Sequence, residues 1–256
     1  QVKRKQENLH NSQKDNITEI TSTYIICAFF IWNFKGIIIF MNNINYNLEM
    51  ERIIDKNRKE GLKPKLLMQV CCAPCSTTVM HRIKDDFDID MYFYNPMIYP
   101  RTELEKRSDY VGVLAKRIGI DGKVIVPEND VRDFYDVAKK RKNSAEGSEA
   151  CYDCYKLRLR ETVKYAKEHG YDYFCTTLSI SPYKNSKWIN EIGRELEEEY
   201  GVKYLYSDFK KRNGYQMSIE LSKKYQLYRQ SYCGCVFSYN EMKEHNEKMK
   251  NDDTGL

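Results

Sequence analysis

The sequence predicts an α/β fold: a parallel five-stranded sheet with flanking helices, followed by a helical C-terminal region. Three observations carry that prediction. From Lys65 onward short β-type runs alternate with amphipathic helical ones, the pattern of βαβ units around a parallel sheet. The 256 residues make one large domain or two small ones, long enough for a full hydrophobic core. The apolar fraction of 41%, once glycine is added, lies in the globular range and excludes a wholly disordered chain.

Taken in order, residues 66–70 form the first strand and 89–94 the second. The stretch 102–118 carries Leu104, Val111, Leu114, Ala115 and Ile118 at helical spacing, and 123–126 is the third strand. A helix opens at the Cys151 group, 171–177 is the fourth strand, and 187–200 is a helix stopped by Gly201. Residues 202–206 are the fifth strand. A polar, Tyr-rich helical region runs from Lys210 past Cys235, and 243–256 reads as a solvated tail. The partition expected is an extension over 1–40, disordered or artefactual, a catalytic α/β domain with its helical part over 41–240, and a polar tail over 241–256.

The chain opens on Gln1, and Met41 is a plausible start. Residues 24–40 are apolar and at the lower edge of a membrane span, but Asn33, Lys35 and Gly36 interrupt them. A lysine near the centre of a span costs about 3 kcal/mol, and no cleavage site of small residues is present. Cys27 lies in this stretch and is given no role.

Lys and Arg number 42 against 37 Asp and Glu, a surplus compatible with a nucleic-acid partner only where the charge is clustered. No glycine-rich phosphate loop and no dinucleotide fingerprint occurs, so neither triphosphate hydrolysis nor a Rossmann cofactor is indicated. Nine cysteines in a chain too long to need disulfide stapling fall in tight groups, which points to metal or redox chemistry.

The groups are Cys71-Cys72-Ala73-Pro74-Cys75 after the first strand, Cys151-Tyr152-Asp153-Cys154 opening a helix, and Cys233-Gly234-Cys235 near the end. Ligands of a parallel sheet bind beyond the carboxyl ends of its strands, where the first group lies. The first two groups precede helices, whose dipole and free N–H groups favour thiolate, the metal-binding form. Cys71, Cys72, Cys151 and Cys154 would then make a four-sulfur site. Adjacent side chains of an extended chain point apart, which suits an iron–sulfur cluster, whereas Cys72 and Cys75 taken as one half suit zinc. Cys175 stands alone and reads as a buried small hydrophobe. A disulfide across Cys233-Gly234-Cys235 closes a small, strained and labile ring that Gly234 permits, so a redox pair stands beside two free thiols or two further ligands.

Lys156, Arg160, Lys164 and Lys167 fall on one helical face, either a phosphate-facing stripe or a solvated surface. Lys139–Lys142 and Lys210–Arg212 are two further basic clusters. Tyr94, Tyr99, Tyr152, Tyr155 and Tyr183 lie near the expected site, where a tyrosine can stack on an unstacked base.

The order Val70-Cys-Cys-Ala-Pro-Cys-Ser76, Tyr94-Asn-Pro-Met-Ile-Tyr-Pro100 with Glu103 and Arg107, Cys151-Tyr-Asp-Cys154 and Cys233-Gly-Cys235 resembles the cobalamin-independent epoxyqueuosine reductases, from about residue 66 to about 239. The resemblance implies a fold related to the adenine-nucleotide α-hydrolases, a [4Fe–4S] cluster on Cys71, Cys72, Cys151 and Cys154, and a redox-active disulfide between Cys233 and Cys235. It implies reduction of the epoxide of epoxyqueuosine at the tRNA wobble position, the last step of queuosine synthesis. Cys75 and Asp153 border the implied cluster as candidates for holding a second iron or delivering a proton. The partners implied are tRNA carrying epoxyqueuosine and an unidentified electron donor, in the cytoplasm and without stable membrane association. Two other readings use the same residues: a zinc-stabilised tRNA-binding protein without redox activity, and a tRNA sulfur-transfer enzyme on the same fold. The missing phosphate loop weakens the second. A chain begun at Met41 is expected to stay soluble and fully active in the reductase assay, and loss of folding on that truncation would make the earlier residues part of the enzyme.

Overall fold

Lys65–Gln69 (β1) is buried on both faces because it is the central strand of the sheet. In this computed structural model, which describes residues 44–142, 144 and 146–253, β1 pairs in parallel with Asp88–Tyr92 (β2) and Tyr173–Thr176 (β4). Val124–Ile125 (β3) and Lys203–Tyr204 (β5) form the edges, giving the order β3-β2-β1-β4-β5, parallel throughout. All five expected strands are present, β1 shifted by one residue and the other four shorter than their expected runs. The expected extension over 1–40 lies outside the described residues.

The period of two along the strands divides the interior. Leu66, Met68, Ile89 and Met91 face one core with Met50 and Ile54 of Tyr46–Lys59 (α1), Val79, Met80 and Ile83 of Ala73–Ile83 (α2), and Leu104, Val111 and Leu114 of Arg101–Ile118 (α3). Leu67, Tyr92 and Phe174 face a second core with Leu159 and Val163 of Glu149–Glu168 (α5) and Ile189, Ile192 and Leu196 of Ser186–Tyr200 (α6). The short helix Tyr135–Arg141 (α4) precedes α5. Helices thus cover both faces, and the strand order reverses between β1 and β4. The crevice beyond their carboxyl ends is where such sheets bind ligands.

The helical region expected from Lys210 past Cys235 divides into Gly214–Lys224 (α7) and Val236–Asp253 (α8). Gln226 adopts φ 47° and Gly234 φ 144°, neither of them helical, so residues 225–235 run as an irregular strap. No break falls at 240, because α8 continues to Asp253.

Gly193 of α6 gives a test of the second core. A Cβ there would stand 2.3 Å from the ring of Tyr204, a buried side chain packed on Phe174 and Tyr206. Alanine gains about 1 kcal/mol in helix propensity but overpacks by about 1–3 kcal/mol. Gly193→Ala is therefore expected to lower the urea midpoint, and a raised midpoint would show that the ring moves aside freely.

Candidate active site and metal centre

The first cysteine group gathers where β1 ends. Cys72 caps α2 in extended conformation, with Pro74 in the first turn. A cap residue and the third helical residue lie side by side at a helix start, so Cys72 meets Cys75. The chain bends at Cys71, and the three sulfurs come within 4.8 Å of one another. Cys71 Sγ and Cys72 Sγ stand 3.7 Å apart, against the expectation that neighbours diverge, because the extended strand has already ended. That separation matches the edge of about 3.8 Å required by one tetrahedral ion with metal–sulfur bonds of about 2.3 Å.

Cys151 and Cys154 occupy the start of α5, as expected, and Cys151 Sγ accepts the Gly147 N–H at 3.3 Å. They do not fall within the 4.8 Å neighbourhood of the triad. Cys175 is fully buried in the first core.

Helix starts alone would ionise all these thiols, but burial is the larger effect, as desolvation of a fully buried group outweighs a terminal dipole worth about 1 kcal/mol. Burial pushes Cys72 up to about 12 and Cys154 up to about 11. Thiol donation from Cys72 and Cys75 instead holds Cys71 well below the usual cysteine range, while the same sharing pushes Cys75 up. Full ionisation of the three sulfurs therefore needs a cation among them.

Two cations sit opposite. Arg158, 1% exposed, donates through Nε to the Cys154 carbonyl at 3.3 Å and through Nη1 to Asn95 Oδ1 at 3.4 Å, and its Nη2 finds no partner. Burial opposes its charge, and the sulfurs of Cys154, Cys233 and Cys71 sustain it. Lys184 is held in the same way by Cys233, Tyr155 and Cys71. Neither cation has a salt-bridge partner among the described residues, although Glu146 lines the same cavity, and of the neighbouring thiols Cys71 is the one held toward its ionised form. Arg158, Lys184, Cys71, Cys75, Cys233 and Tyr183 line one cavity of about 280 Å³ at the switch of strand order.

Cys233 and Cys235 are free thiols here. Cys235 Sγ lies 3.5 Å from Ser238 Oγ in the first turn of α8, and the Cys233 thiol is pushed up by burial.

Other expected contacts are placed elsewhere. Asp153 faces away from Cys151 and Cys154 on α5 and pairs with Lys140 at 2.5 Å, lining a separate cavity with Trp188. The basic stripe is not a free cationic row, because α5 packs on the acidic α6. Lys156 pairs with Glu195 at 2.6 Å, Arg160 with Glu199 at 3.5 Å, Lys164 with Glu161 at 2.6 Å, and Lys167 lies over the Tyr200 ring. Of the five tyrosines, Tyr94 and Tyr155 are buried, Tyr152 packs on Trp188, Tyr99 lines another cavity, and Tyr183, 73% exposed, stands at the mouth of the sulfur cavity. Arg158, Lys184, Arg229 and Gln230 were missed from sequence. Only their position along cysteine-bearing segments would have marked them.

Metal-free protein titrated with Co²⁺ is expected to develop thiolate-to-cobalt charge-transfer absorption. Cys75→Ser should weaken binding about tenfold or more, and Cys175→Ser should not change it. Equal affinity for parent and Cys75→Ser would remove Cys75 from the binding set.

The family profile described as epoxyqueuosine reductase QueH matches residues 66–241, from β1 into α8. The chain is 40% identical over 201 residues to the epoxyqueuosine reductase QueH of Staphylococcus epidermidis, covering 76% of this chain and 84% of that one. It is 37% identical over 199 residues to the protein of that name from Streptococcus pyogenes serotype M1, covering 76% and 78%, and 38% identical over 180 residues to that of Thermotoga maritima, covering 70% and 92%. With the cysteine groups, the parallel sheet and a match that spans them all, the chain belongs to the epoxyqueuosine reductase QueH family.

Proposed function

We propose that the chain reduces the epoxide of epoxyqueuosine at the tRNA wobble position to the cyclopentene of queuosine. The observation that carries this reading is one cavity whose wall joins Cys71 and Cys75 to Cys233, with the cations Arg158 and Lys184 and the carboxylate of Glu146 on the same wall. The reaction consumes two electrons and two protons and releases the epoxide oxygen as water. A dithiol stores that quantity: oxidation of Cys233 and Cys235 to a disulfide yields two electrons and two protons, which an external donor then restores.

The donor set suits an anionic iron–sulfur group, because buried Arg158 and half-buried Lys184 offset its charge. Cys71, Cys72, Cys151 and Cys154 would hold a [4Fe–4S] cluster, which supplies one-electron transfer when bound. Cys75 then stays available to a second iron. The cavity volume accommodates one extruded base rather than a duplex. Tyr183 offers that base or its neighbour a stacking face, and Lys184 places a positive charge beside the reacting edge. The exposed Arg229, stacked on Tyr215, lines the same cavity and meets the phosphate backbone in place of the paired stripe on α5. No helix among the described residues is long and apolar enough to cross a membrane, and we place the activity in the cytoplasm with its tRNA.

A zinc-stabilised tRNA-binding role is the second reading, favoured by the 3.7 Å separation of Cys71 and Cys72. Iron and acid-labile sulfide in protein purified without oxygen separate the two. Single Ser substitutions at Cys71, Cys72, Cys151 and Cys154 are expected to lose most of the iron together with conversion of epoxyqueuosine-tRNA, followed by mass spectrometry of the nucleoside. Zinc without sulfide rejects the reductase chemistry, and a full cluster in Cys72→Ser with none in Cys75→Ser rejects the ligand set.

A further inference from the structure

The turn that bears Cys233 and Cys235 is held by the Arg107 side chain of α3 and by the main chain of the loop before it. Arg107, 1% exposed, donates from Nη1 to the Cys233 carbonyl at 2.9 Å and from Nη2 to the Tyr232 carbonyl at 3.3 Å. Its Nε donates to Glu103 Oε1 at 2.7 Å, one helical turn earlier, and the Tyr228 hydroxyl donates to Glu103 Oε2 at 2.9 Å. The Tyr99 N–H donates to the Gly234 carbonyl at 2.9 Å, and the Tyr232 hydroxyl bonds the Tyr99 carbonyl. Gly234 adopts φ 144°, and a Cβ there would stand 3.1 Å from Ile98 and 3.2 Å from the Arg107 guanidinium. The conformation disfavours any other residue, and a side chain there would require Ile98 and Arg107 to shift.

We propose that Arg107, oriented by Glu103, is a positioning residue for the dithiol pair: it pins the turn in its reduced conformation and so sets how readily Cys233 and Cys235 exchange their two electrons. This rests on the redox reading of the pair given above. A disulfide between residues two apart closes a ring that contains both intervening peptide planes. Closing it turns the carbonyls of Cys233 and Gly234, the two that Arg107 and Tyr99 hold in the free-thiol structure. Each hydrogen bond broken on closure favours the dithiol, and a bond from a buried guanidinium is among the stronger ones. In the step itself, reduction breaks the Sγ–Sγ bond and adds one electron and one proton to each sulfur. A dithiol reductant such as dithiothreitol supplies them in the assay.

The test equilibrates the full-length, cluster-loaded protein anaerobically with reduced and oxidised dithiothreitol at fixed ratios. Free thiols are then alkylated, and Cys233 and Cys235 are quantified by mass spectrometry. Arg107→Met combined with Glu103→Gln, which leaves no unpaired buried charge, is expected to lower the dithiol-to-disulfide ratio about tenfold. Arg107→Lys keeps the charge but cannot span both carbonyls, so it is expected to shift the ratio in the same direction. Tyr228→Phe removes only the hydroxyl on Glu103, should fold if the others do not, and is expected to give a smaller shift of the same sign. A merely structural role would lower the melting temperature and leave the ratio alone. An unchanged or raised ratio in the variants that fold overturns the proposal. A parent protein that forms no Cys233–Cys235 disulfide anywhere in the series overturns the redox pair itself, and the clamp with it.

Discussion

Arg158, which is buried, and Lys184, which is half-buried, carry their charge beside the cysteine sulfurs without a salt-bridge partner among the described residues, Glu146 lining the same cavity, and the site is organised around that constraint. A buried unpaired charge is costly enough that a protein keeps it only where something anionic arrives or is already present. The cysteines are that something. Their own burial opposes ionisation, as the raised thiols of Cys72 and Cys154 show, so cations and sulfurs need one another. The sheet supplies the location. Val70 and Thr177 leave β1 and β4 where the strand order reverses, and α2 and α5 begin beside the crevice with their cysteines in the first turns.

The irregular strap over residues 225–235 closes this arrangement without forming a regular element of its own. Its main chain is satisfied by side chains from α3 and by the loop that precedes it, and Gln230 Nε2 donates to Cys72 Sγ at 2.9 Å. One segment therefore touches the cysteine triad and carries the second sulfur pair. Irregular backbone is stable here because almost every buried polar group in it has a partner, and Gln230 Oε1 is an orphan that faces the site.

Below the cavity floor, Gln69, Asn95 and Thr176 form a buried network. Thr176 Oγ1 donates to Gln69 Oε1 at 2.7 Å, Gln69 Nε2 to Asn95 Oδ1 at 3.1 Å, and Asn95 Nδ2 to the Val70 carbonyl at 2.9 Å. It ties the ends of β1 and β4 to the loop after β2 and orients Arg158 through Asn95. Satisfied polar networks in a low-dielectric interior specify a single arrangement, which a site with two opposed charge types requires.

The sequence by itself determined the sheet, its five strands, the helices that alternate with them and the three cysteine groups, because these follow from local periodicity and from spacing along the chain. Leu104, Val111 and Leu114 face the core as their spacing requires, and Gly201 stops α6 in the left-handed conformation expected of it. What only the tertiary structure decided is who meets whom. The basic stripe on α5 met the acids of α6, and no property of α5 alone signals that partner. Arg158 lies on the same helix, two residues from Lys156, yet turns inward, since 200° of helical rotation carries it to the face that packs on the sheet. Cys75 joined Cys71 and Cys72 because the strand ends before the pair and the helix begins after it, a matter of exact boundaries that periodicity resolves poorly. The clamp on Cys233 spans more than a hundred residues of sequence, and contacts of that range are fixed by the packed sheet and not by any local pattern.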